Sequence, residues 1–167
     1  VGDSEIDVIV RMIDQAFDHR SWHGTNLRGS IRGLDAGVAA WRPARGRHNI
    51  WEIVVHAAYW KYTVRRRLLG ERRGSFPLKG SNWFARPVGR RDADALWRSD
   101  VALLVSTHRG LREAVASIDP KSLHEPLSGG KASTVDMLTG IAAHDLYHAG
   151  QIQILKRLRP GRGARRA

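Results

Sequence analysis

The stretch GIAAHDLYHAGQIQILKRL, residues 140–158, decides how this chain is read. With Leu138 just upstream, Ile141, Ala142, Ala149, Ile152 and Leu155 recur at helical spacing and define one apolar face. The predicted helix starts near Ser133 or Thr134, and Pro160 stops it. His144 and His148 lie one turn apart on an edge of that face, with Gln151 beside them. Such a pair can hold a metal, yet it is more often two polar residues on a helix flank. The chain contains a second pair at the same spacing, His19 and His23, so spacing alone decides nothing.

Working outward, three further helical segments emerge between breakers. The first runs from about Asp3 to Asp18 with Ile6, Ile9, Val10, Ile13 and Phe17 on one face. It breaks at SWHG and is expected to resume, weakened by Gly24, Gly29 and Gly33, through Leu27, Ile31 and Leu34. The second begins at Asn49, an N-cap whose capping box Glu52 completes, and carries Ile50, Ile53, Val54, Ala57, Val64 and Leu68 to Gly70. The third starts near Asp92 and runs through Leu96, Val101, Leu104, Leu111 and Val115 toward Asp119-Pro120. Residues 70–91 show no sustained period and are rich in Gly, Pro and Arg. That is far more chain than two antiparallel neighbours need, so it is read as a crossover leaving the second and third helices parallel. The expected fold is all-α: one four-helix-bundle domain over residues 1–160, with no sheet, and a basic tail at 161–167.

Composition narrows the function classes. A chain of 167 residues that is 42% hydrophobic, with six tryptophans, can bury a sizeable core. It has no apolar run of the roughly 18 residues a membrane span needs and no apolar leader, so no membrane partner and a cytoplasmic address are expected. The net charge of +12 invites a nucleic-acid reading. The basic residues, however, fall in scattered clusters at helix ends and termini, with no helix-turn-helix, RRM or zinc-finger signature. A solvated basic surface is the expectation, and specific nucleic-acid binding is not. Cysteine is absent, which leaves His, Asp and Glu as metal ligands and excludes a protein thiol nucleophile.

With successive residues about 100° apart on a helix, His56 lies on the edge of the second helix's stripe that corresponds to the one holding His144 and His148. Glu52 and Trp60 are adjacent to it. Three imidazoles can therefore meet between two packed helices. Neutral imidazole suits nickel, zinc or iron, and three protein ligands leave positions open, the catalytic rather than the structural pattern.

HNIWEIVVHAAYWKYTVRRRL at 48–68, followed far downstream by 140–158, resembles the DinB-like (DinB/YfiT) superfamily of metal-binding four-helix bundles. SWHGTNLRGSIRGL and AAWRP add to the match, so it spans nearly the whole chain. The resemblance implies one metal ligand from the second helix and two from the last, which by position are His56, His144 and His148. It also implies a homodimer and, for several members, a transferase or isomerase reaction dependent on a low-molecular-weight thiol such as bacillithiol or mycothiol. A thiol-dependent S-transferase or isomerase, or a hydrolase, acting on a small molecule is thus the leading expectation. A stress-related module whose metal merely clamps two helices is the alternative.

Other residues keep two readings each. Glu52 is a cap or a general base beside the metal. Asp145, inside the apolar face of the last helix, orients a histidine or makes a buried hydrogen bond to another helix. His23, at the break in the first helix, is a candidate for lining the site, His19 less so. His48 is read as a terminal residue, and His108 and His124 as surface residues. Trp22, Trp41, Trp51, Tyr59 and Trp60 are expected in core or dimer interface, with Trp60 the best pocket candidate and Tyr147 an outward contact. Arg65, Arg66 and Arg67 either attract an anionic thiol or are simply solvated.

Overall fold

The computed structural model describes residues 3–87, 89–127 and 131–160. Six α-helices occupy them: α1 (Glu5–Phe17), α2 (Leu27–Ser30), α3 (Ala36–Ala40), α4 (Ile50–Leu68), α5 (Ala93–Ala116) and α6 (Thr134–Leu158). Among the described residues there is no strand, only an isolated bridge between Pro126 and Ser133. The basic tail at 161–167 lies outside the described residues.

The helices start where local chemistry satisfies their free N–H groups. Capping boxes open α1 (Ser4 with Asp7), α4 (Asn49 with Glu52) and α6 (Ser133 with Asp136). The expected resumption of the first helix does not occur. The chain makes two separate short helices instead, each with its own cap, because Asn26 accepts from the Gly29 amide and Asp35 from that of Val38. Lys156 of α6 ties down the first of these through the Ser30 carbonyl at 3.0 Å, and Trp97 of α5 reaches the Leu34 carbonyl at 2.7 Å.

Nearly every residue from Ile50 to Val64 is buried, so α4 is the central helix. Trp51 donates to Asp100 at 2.6 Å and meets Trp97 edge-on, while Arg65 lies against Gly110 further along both helices. Thus α4 and α5 run the same way. Against α6 the order reverses: His56 faces His148, Lys61 meets Asp145, and Val64 shares a pocket with Ile141 and Met137. The 69–92 segment that joins the parallel pair is packed down by an aromatic cluster of Tyr59, Phe76 and Phe84 and by an ion pair from Arg86 to Asp100.

His108 corrects the expectation of a surface residue. It is buried, its ring stacked on Phe17 of α1 at 3.7 Å, and its Nδ1 has no partner among the described residues. Burial pushes its pKa down to about 3, with the positive charges of Lys61 and Arg112 adding to the effect. Asp14 stands 3.8 Å from Nε2, but Arg112 engages both of its oxygens at 2.9 Å. A neutral imidazole of this kind takes no proton until about pH 3, whereas the unfolded chain takes one near pH 6.5. The unfolded state therefore gains protons first on acidification, and stability falls from about pH 6.5 downward. Denaturant melts at pH 7 and pH 5 should show this loss, and His108→Leu should reduce it by the share that His108 contributes.

Candidate metal centre

His56 projects from the middle of α4, while His144 and His148 project from successive turns of α6. The antiparallel packing of the two helices brings the three rings together. The Nε2 of His144 lies 3.0 Å from that of His56 and 3.0 Å from that of His148. All three residues offer a ligand atom within 4.8 Å of the others; His56 and His148 are buried and His144 is partly so. No other group of three or more His, Asp or Glu residues with this geometry occurs among the described residues.

Protonation states follow from the neighbours. The Nδ1 of His56 is 2.8 Å from the Asn82 carbonyl, which can only accept, so that nitrogen carries the proton and Nε2 presents a lone pair. The Nδ1 of His148 donates in the same way to Gln151 Oε1 at 2.7 Å. Burial lowers the pKa of His56, takes His144 down to about 3 and takes His148 down to about 4; repulsion from His48 adds to the first, and like-charge repulsion within the group adds to the other two. Near neutral pH the rings are therefore uncharged, the form that ligates metal. Two lone pairs with fixed tautomers point at a third imidazole whose own Nδ1 is buried without an acceptor among the described residues. A shared cation at about 2.0–2.1 Å from each nitrogen needs nitrogens roughly 3.0–3.4 Å apart, and the observed 3.0 Å separations lie at the short end of that range. The donor set fits a divalent transition metal.

The segment between α4 and α5 contributes to this group, which sequence reading missed. Trp83 stacks on His56 at 3.9 Å with rings 9° from parallel, and its other face stacks on His48 at 3.6 Å and 6°. Asn82 receives the Trp60 indole N–H at 2.9 Å besides the His56 N–H. No periodic signal marks either residue, because they lie in an aperiodic segment.

The remaining candidates separate clearly. Glu52 is the capping residue and is held by Arg42 and by His48 at 3.1 Å. Burial disfavours its ionisation, but these hydrogen bonds prevail and keep its carboxyl below the usual range. Both of its oxygens are thus engaged by Arg42 and His48. Asp145 makes the buried bond to another helix: it pairs with Lys61 of α4, itself fully buried, and its other oxygen has no partner among the described residues. Burial raises its pKa to about 6 against the pull of Lys61. His19 and His23 are exposed and are not part of the group, so neither lines it. Trp51 is a core residue and Trp60 lines the pocket beside His144. Trp22 is fully exposed, at 101%, and so is not a core residue. Arg65 pairs with Glu71 and Arg66 donates to the Glu71 carbonyl, which leaves Arg67 as the exposed one of the three.

The all-helical frame and this site define the chain's class. A family model described as the DinB superfamily matches residues 20–152. The chain belongs to that superfamily. Comparison with curated proteins and with solved structures found no significant match.

Proposed function

We propose that the protein is a metal-dependent enzyme acting on a small molecule, with His56, His144 and His148 as the metal ligands. The observation that carries this reading is the convergence of three neutral imidazoles on one point, two of them with Nε2 lone pairs fixed from outside. When bound there, nickel, zinc or iron supplies Lewis acidity that draws a thiol toward its thiolate. Three protein ligands leave further positions open. An apolar cavity of about 230 Å³ adjoins His144, lined by Trp60, Val64, Met137, Gly140 and Ile141, with Arg67 as its only lysine or arginine. A larger groove of about 800 Å³ lies between the α2–α3 region and α5, but it shares no residue with the histidine group. Chemistry rather than size favours the smaller cavity.

Within the proposed reaction class, transfer to or from a low-molecular-weight thiol, the chain's own residues bind and position. The cavity wall excludes water from an apolar substrate, and Arg67 offers a cation to an anionic thiol or substrate. The scaffold we read as one four-helix bundle over residues 1–160, crossed by the 69–92 segment; the parallel run of α4 and α5 supports it. A homodimer is proposed through α6, where Tyr147, Ile154 and Leu158 are 59–64% exposed at positions i, i+7 and i+11. Ile154→Glu should convert a dimer to a monomer by light scattering.

Metal analysis of the purified protein, followed by thiol consumption in the presence of an activated electrophile, tests the function. Metal-dependent consumption supports an enzyme. A melting temperature that falls on chelation, with no thiol consumed, supports a clamp. Gly140 gives a sharper probe, since a Cβ there meets nothing within 4 Å. Gly140→Phe should fill the cavity, cut kcat/KM at least about tenfold and leave metal content unchanged.

A further inference from the structure

We propose that Asn82 and Trp83 are positioning residues of the metal centre: the crossover segment fixes the tautomer and ring plane of His56 and so sets the affinity of the site. The inference rests on the metal reading above and concerns residues outside the three ligands.

His56 is constrained on two sides by consecutive crossover residues. The Asn82 carbonyl accepts its Nδ1 proton at 2.8 Å, which leaves Nε2 free to ligate. The Trp83 indole lies flat against the ring at 3.9 Å, which removes rotation about the ring's own axis. Each contact is itself supported. Asn82 has a left-handed backbone with φ of 64°, a conformation costly for most side chains but tolerated by Asn. Its side chain is anchored by the Trp60 indole at 2.9 Å. Behind Trp83, His48 stacks on the opposite face and is tied through Glu52 to Arg42. The result is a layered stack of His48, Trp83 and His56 with its outer end hydrogen-bonded to the start of α4.

A ligand held in one tautomer and one plane loses less freedom when it binds a cation. Partners that orient a ligating histidine typically change metal affinity 10–100-fold. His148 has its orienting partner one turn away, in Gln151. For His56 the partner comes from the crossover, 26 residues further along the chain. The segment is thus part of the centre rather than only a connection.

Three variants of the full chain test this, by competition of Zn²⁺ with a chelating dye and by ¹⁵N NMR of the metal-free imidazoles. Trp83→Ala should weaken Zn²⁺ binding by about 10–100-fold. Trp83→Phe, which keeps a flat ring, should recover most of it. Asn82→Ala, strained at positive φ, should mix the His56 tautomers, which in the wild type are held as the Nδ1–H form. Unchanged Zn²⁺ affinity in Trp83→Ala together with a single unchanged His56 tautomer in Asn82→Ala would overturn the proposal. A lower melting temperature of metal-free Trp83→Ala with unchanged affinity would likewise mark Trp83 as a packing residue only. If the wild type binds no Zn²⁺, the metal reading fails, and the tautomer measurement on metal-free protein still decides whether the crossover fixes His56.

Discussion

Alanine at His144 should weaken Zn²⁺ or Ni²⁺ binding by more than about 100-fold, beyond the loss expected for any residue that only orients a ligand. His144 is the middle member of the group, with its Nε2 at 3.0 Å from each of the other two, so its removal leaves nitrogens on separate helices. Equilibrium dialysis against graded metal, with circular dichroism as a fold control, reads the result. Stoichiometric metal retained by the variant would remove His144 from the ligand set. Among the described residues His144 makes no hydrogen bond beyond those with the other two imidazoles, so the metal-free variant should melt within a few degrees of the wild type.

The second large effect concerns the interior pair of Lys61 and Asp145. Both side chains are 1% exposed, and Lys61 also lies 5.0 Å from the centre of the Phe17 ring. Removing one partner leaves the other polar group in the core, and such changes typically cost about 3–5 kcal/mol. Asp145→Leu should therefore lower the melting temperature by roughly 6–20 °C for a chain of this size. The double variant Lys61→Met with Asp145→Leu should regain most of the loss, because a well-packed apolar pair is no worse than a buried ion pair. Lys61→Met alone should be the milder single change, since the Asp145 carboxyl, already raised to about 6, can take up a proton. Measured on metal-free protein by thermal melts, additive losses, the double variant losing the sum of the two singles, would show that the pair does not act as a unit.

Much of the fold was legible because helix starts are local. Asn49 with Glu52, and Ser133 with Asp136, are capping patterns whose chemistry is complete within four residues. The edge that His56 shares with the α6 histidines was legible too, as a matter of angle on a helix. The misreading of His108 was avoidable: Leu104, His108, Leu111 and Val115 follow the i, i+4, i+7, i+11 pattern, so the histidine lies on the apolar stripe itself. Lys61 holds the same place in α4, between Ala57 and Val64, but spacing alone does not mark it as buried, because a lysine is rarely buried without a partner. That partner is 84 residues away and belongs to another helix. Trp83 and Asn82 were not legible at all. Their positions depend on how an aperiodic segment folds back over α4, which no spacing rule encodes.

The arrangement of the three histidines also sets when the centre can exist. One comes from α4, and the first of the other two comes 88 residues later, on α6. A chain still being synthesised has the α4 histidine and its crossover partners well before it has α6. Only when α6 docks do the lone pairs face one another. On the proposed metal reading, capture of a metal by all three rings requires α6 to have docked on α4, so a loaded centre reports that these two helices have packed.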